Sequence, residues 1–119
     1  VAWFTAAGDT PRVKLAFSAD DGSSFGPPII VDDGSPSGRV DVVLLEDGSA
    51  VVSWLERVAG AAALRARRIT PGGELAPAMT IAPSGTARSS GFPRMVRSGN
   101  DLLFSWIGAG VLTARVRVP

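Results

Sequence analysis

Four side chains have the types and positions to hold an acidic ligand. Arg39 and Asp41 begin one β-prone run, Phe92-Pro93-Arg94-Met95 begins another, and Glu56 follows Trp54 and Leu55 at the end of a third. A guanidinium fork matches a carboxylate, so arginines and carboxylates gathered at a shallow mouth can hold an acidic sugar. Residues i and i+2 of a strand share a face, which would put Arg39 beside Asp41. Arg57 and Arg88 fall in neighbouring loops. The same residues also read as polar rims and ion pairs at strand ends. Other chemistries are excluded by composition. The chain has no Cys and no His, which removes thiols, disulfides, cysteine and histidine metal sites, Ser-His-Asp triads and the usual proton shuttle near neutral pH. Asp20-Asp21 and Asp32-Asp33 lack the ligand count and terminal bidentate Glu of a calcium loop. No metal and no cofactor is implied.

The elements that must position these residues repeat. Ala2-Trp3-Phe4, Ser53-Trp54-Leu55 and Ser105-Trp106-Ile107 are three copies of small-Trp-apolar, 51 and 52 residues apart, and they use all three Trp of the chain. Around them the pattern is strands and turns. Arg12 to Phe17 alternates polar and apolar, and Pro28 to Val31 is a short strand whose prolines suit an outer edge. Arg39 to Leu45 and Ala50 to Leu55 flank Glu46-Asp47-Gly48-Ser49, an Asp-Gly hairpin signal. Ala61 to Ile69 has helical propensity, but the repeat aligns it with the strand Val13 to Phe17. An outer strand is expected at Ala78 to Ile81 and a loop from Pro83 to Ser90. Phe92 to Val96, Leu102 to Ile107 and Val111 to Val118 complete ten strands.

All-strand self-similarity at this period is the signature of propeller blades. The expected fold is all-β: four-stranded antiparallel blades, about two and a half of them, forming a partial propeller over residues 1–119 with blade segments 1–32, 39–82 and 92–119. Closure removes exposed edges in a propeller. The remaining blades are therefore expected from the same longer chain or from a homo-oligomer. Val1 reads as an internal residue of a longer gene product.

One turn has a more specific pattern. Ser18-Ala19-Asp20-Asp21-Gly22-Ser23-Ser24-Phe25 reads Ser-x-Asp-x-Gly-x-Ser-aromatic. The aspartate can accept turn amides, the glycine can take positive φ, and the hydroxyls can bond the local backbone. Phe25 is expected to plug into the core. Ser18, Asp20, Gly22, Ser24 and Phe25 match the Asp-box, with Ser24 where Thr is commoner and Phe25 where Trp is commoner. With the blade period and the segments Gly38-Arg39-Val40-Asp41-Val42 and Gly91-Phe92-Pro93-Arg94-Met95, the whole chain resembles the bacterial sialidase-like (BNR-repeat) propeller proteins.

The resemblance implies a six-bladed fold and a secreted or periplasmic location. It implies an arginine triad for the substrate carboxylate, a Tyr–Glu nucleophile pair and an aspartic acid/base. Arg94 or Arg39 would stand for a triad arginine, Asp41 for the acid/base and Glu56 for a supporting glutamate. The Phe-Pro-Arg order departs from the family's Arg-Ile-Pro, and the chain has no Tyr. In such a fold the Asp-box lies on the side away from the ligand mouth and is structural. Two functions therefore compete: a non-catalytic glycan- or protein-binding scaffold, and a fragment of an exo-sialidase-type glycoside hydrolase acting on acidic-sugar glycans. The partner implied is an acidic glycan or a protein. A net charge of +1 with scattered arginines implies no nucleic acid or membrane surface. No apolar run is long enough to span a bilayer.

Overall fold

Within each sheet every strand pairs with its neighbour along the chain, and the result is three antiparallel meanders. The computed structural model describes residues 1–85 and 91–118. Sheet one contains β1 (Ala2–Thr5), β2 (Arg12–Leu15) and β3 (Ile29–Ile30). Sheet two contains β4 (Pro36–Leu44), β5 (Ala50–Val58), β6 (Ala61–Ile69) and β7 (Met79–Ser84). Sheet three contains β8 (Gly91–Ser98), β9 (Asp101–Gly108) and β10 (Gly110–Arg117). The fold is all-β, none of the sheets closes on itself, and there is no α-helix among the described residues.

The Ala, Leu and Arg of β6 favour a helix in isolation, yet the segment is a strand along its length. Burial decides this. Alternate residues Ala62, Leu64 and Ala66 enter the core, which a two-residue period allows and a helical period does not. Several boundaries differ from the sequence expectation: the strand expected from Arg39 begins at Pro36, and the one expected to end at Leu55 runs to Val58. The strand expected at Ala78 to Ile81 begins at Met79 and continues to Ser84, carrying Pro83 on an outer strand where its missing N–H needs no partner. The short strand after Pro27 and Pro28 shrinks to Ile29–Ile30. Part of the expected loop, residues 86–90, lies outside the described residues.

The middle sheet is buried on both faces. Val51 and Leu55 of β5 join Leu64, Ala66, Met95, Leu102, Phe104 and Trp106 in one core. Ala50, Val52 and Trp54, pointing the other way, join Val13, Leu15, Val31 and Ile69 in a second. This explains the unbroken burial from Ala50 to Glu56.

The Trp repeat is also a repeat of register. Trp3 lies opposite Lys14, Trp54 opposite Arg65 and Trp106 opposite Leu112, always with the following strand. The strand before carries a bulge at the same place in two sheets. Gly38 pairs Leu55 while Asp41 pairs Ser53, and Gly91 pairs Ile107 while Arg94 pairs Ser105. Two residues thus oppose a single Trp, and the first of each pair, Arg39 or Phe92, has positive φ (58° and 47°).

Candidate functional site

The bulges place the first candidates. Arg39 lies with its guanidinium 3.9 Å from the centroid of the Phe92 ring, so the two bulge residues stack across sheets two and three. Asp41 also reaches β8. Its Oδ2 accepts the Met95 N–H at 2.9 Å, and its Oδ1 accepts the Val42 N–H at 2.9 Å. Arg39 and Asp41 therefore both address β8, but through a bulge and not through regular alternation.

Glu56 serves the opposite face of sheet two. It is buried, with Oε2 accepting the Trp54 indole N–H at 2.5 Å and Oε1 accepting the Ser35 N–H at 2.6 Å. The Arg57 N–H donates back to the Ser35 carbonyl at 2.9 Å. Arg94 stands apart from all of these. It is exposed beside Val96, Leu103, Ser105 and Arg115, along a groove of about 440 Å³ on sheet three. The structure brings Arg39 and Asp41 to one seam, Glu56 to another and Arg94 to an outer surface. Arg88 lies outside the described residues.

A larger polar network was not singled out in the sequence. The segment 31–35 leaves sheet one and is gripped by sheet two. Buried Asp32 accepts the Val13 N–H at 2.7 Å, the Gly34 N–H at 3.0 Å and an Arg12 guanidinium N–H at 2.9 Å. Asp33 accepts from Arg65 at 2.6 Å and from Arg67 at 2.7 Å. Arg67 also donates to the Val31 carbonyl at 2.6 Å and lies 5.9 Å from the centroid of the Trp54 ring. The available signal was the i, i+2 spacing of Arg65 and Arg67, which puts both on the Trp54 face.

The Ser18–Phe25 turn is built as its residue types suggest, except at its last position. Asp20 accepts the Ser24 N–H on Oδ1 at 2.8 Å and the Ser24 hydroxyl on Oδ2 at 2.5 Å. Ser18 Oγ accepts the Gly22 N–H at 2.8 Å and donates to Asp20 Oδ1 at 2.8 Å. Gly22 has φ +88°. Phe25 does not plug into the core; it is 50% exposed. It borders an open cleft of about 640 Å³ with Val1, Phe17, Val42 and Leu44. The cleft lies between the Ser18–Phe25 turn of sheet one and Val42 and Leu44 of β4, and Phe25 stands on its rim. The corresponding turn of sheet two uses a hydroxyl instead of a carboxylate: Thr70 Oγ1 accepts the Glu74 N–H at 3.1 Å, and the Gly73 N–H donates to the Thr70 carbonyl at 2.9 Å.

Bonds from the Ser24 hydroxyl, the Ser24 amide and Ser18 hold the Asp20 carboxyl below its ordinary pKa. A group depressed in the folded state stabilises fully above its unfolded pKa and loses that contribution as pH falls through its folded pKa. Asp20→Ala is therefore expected to lower the melting temperature at neutral pH. The gap from the parent should narrow on acidification through the carboxylate range, as thermal melts across pH would show.

Among the described residues no three acidic side chains are grouped to hold a metal ion, and no helix is long and apolar enough to cross a membrane. No family model, curated protein or solved structure matches the chain.

Proposed function

We propose that this chain is a segment of a sialidase-like β-propeller that serves as a non-catalytic scaffold binding an acidic glycan or a protein. The three sheets are read as consecutive blades, joined by the recurrent Trp, the recurrent bulge and the Ser18–Phe25 turn. The observation that carries the non-catalytic reading is the occupation of both candidate carboxylates. Asp41 holds two backbone N–H groups, and Glu56 holds a backbone N–H and an indole N–H. In each carboxylate one bond goes to its own strand and the other ties that strand to a neighbouring element, Met95 of β8 or Ser35 of the 31–35 segment. The ligand contact then falls to the cationic Arg39 on the Phe92 ring, at the seam between sheets two and three. By the same reading the protein works in the periplasm or outside the cell.

Titration with sialyllactose and with polygalacturonate tests this. The parent chain is expected to bind an acidic glycan without turnover. Loss of one charge-assisted guanidinium contact in Arg39→Ala should weaken binding roughly tenfold. Release of free sialic acid from sialyllactose, abolished by Asp41→Asn, would overturn the scaffold reading in favour of the hydrolase.

A further inference from the structure

The chain contains three Asp-Gly pairs, Asp21-Gly22, Asp33-Gly34 and Asp47-Gly48. An aspartyl carboxyl followed by glycine can cyclise, because glycine has no Cβ to shield the nitrogen that must attack. All three aspartates are exposed, so access to water does not separate them. Their partners do. Asp33 accepts from Arg65 at 2.6 Å on one oxygen and from Arg67 at 2.7 Å on the other. Asp47 accepts the Ser49 N–H at 3.0 Å on one oxygen and an Arg68 guanidinium N–H on the other. Bonds from the Ser49 amide and hydroxyl, then from Arg68, hold the Asp47 carboxyl below its ordinary pKa and deplete the protonated form that cyclises. The Asp21 carboxyl has no hydrogen bond or ion pair among the described residues. The three glycine amides differ in the same sense. Gly34 donates to the buried Asp32 carboxylate at 3.0 Å, and Gly48 donates to the Leu45 carbonyl at 3.1 Å within its hairpin. Gly22 donates to the Ser18 hydroxyl at 2.8 Å, a side chain that can rotate away. Beyond its chain neighbours, nothing lies within 4 Å of where a Cβ at Gly22 would stand.

We infer that Asp21 is a modification site: in the folded protein it isomerises spontaneously to isoaspartate, while Asp33 and Asp47 are protected. The Gly22 nitrogen gives its proton to solvent and attacks Cγ of the protonated Asp21 carboxyl. A C–N bond forms, one water leaves and a five-membered succinimide closes. Water then adds back to the ring. Breaking the new C–N bond restores aspartate, and breaking the original peptide C–N bond leaves isoaspartate. The water lost is regained, so the change is an isomerisation and needs no co-reactant. Isoaspartate lengthens the main chain by one methylene between Asp20 and Gly22. That segment is spanned by the Ser18–Gly22 and Asp20–Ser24 bonds and by the Ser23 N–H to the Asp20 carbonyl at 3.2 Å. These bonds cannot all keep their lengths across a longer chain, so the product is a turn with a loosened clamp. The chemistry is independent of what the chain binds.

The test is to age the protein at neutral pH, folded in buffer and unfolded in urea, and to digest samples with trypsin over several weeks. Cleavage at Lys14, Arg39 and Arg57 gives peptide 15–39, with Asp21 and Asp33, and peptide 40–57, with Asp47. Electron-transfer fragmentation distinguishes isoaspartate from aspartate at each position. In urea the three pairs should convert at similar rates. In the folded protein Asp21 should convert at least roughly tenfold faster than Asp33 or Asp47, since each of those must first break a charge-assisted hydrogen bond. Asp21→Glu, whose ring would have six members, should abolish the signal at this position. Arg68→Ala, checked for folding by circular dichroism, releases one oxygen of Asp47 and should speed conversion there. Conversion at Asp21 in urea but not in the folded protein overturns the inference. So does conversion of Asp33 or Asp47 as fast as Asp21 in the folded protein. An Asp47 that converts no faster in folded Arg68→Ala overturns it too, because its bonds would then not be what protects it.

Discussion

Trp54→Ala is expected to remove about 4 kcal/mol of folding stability, the upper range for a large-to-small core change. Trp54 is fully buried where β5 meets sheet one, and Val13, Leu15, Val31 and Ile69 would line the void it leaves. The substitution also strands Glu56 Oε2, which accepts the indole N–H. Trp3→Ala should cost less, since Trp3 is only half-buried and belongs to neither core. Denaturant melts would compare the two. Equal losses would show that position in the repeat does not determine burial.

That contrast also marks what the sequence made legible. Three Trp at constant spacing located β1, β5 and β9 and overruled the helical propensity of Ala61–Ile69, because a shared register is a tertiary constraint and propensity is a weak one. The hairpin at Asp47-Gly48 was equally readable: Gly48 takes φ +84° and Asp47 accepts the Ser49 N–H at 3.0 Å. The bulges were not readable, since Arg39 and Phe92 are residue types that seldom take positive φ, and only the preceding Gly38 and Gly91 hinted at them. Exposure of Phe25 depends on how the turn stands against β4, which no local pattern describes. The Asp32–Asp33 network depends on which arginines another sheet delivers. Spacing showed that Arg65 and Arg67 share a face; it did not show that Asp33 would meet them.

Glu56 separates a structural from a catalytic role most sharply. Glu56→Ala leaves the Trp54 indole and the Ser35 amide as buried donors without acceptors, and at about 1–3 kcal/mol for each orphaned group the expected loss is about 3 kcal/mol. Glu56→Gln keeps one carboxamide oxygen but turns an N–H₂ toward the other donor, so it should lose about half as much. Neither change touches Arg39 or Phe92, and in conditions where both variants are folded their affinity for acidic polysaccharide should equal the parent's. A proton-transferring glutamate would behave in the opposite way: Gln would abolish turnover at little structural cost. Melts and titrations of the two variants side by side therefore read the role directly. If Glu56→Gln melts with the parent, its carboxylate is not what binds the 31–35 segment to sheet two. The polar ties of that segment would then be Asp32 with Arg12 on sheet one and Asp33 with Arg65 and Arg67 on sheet two.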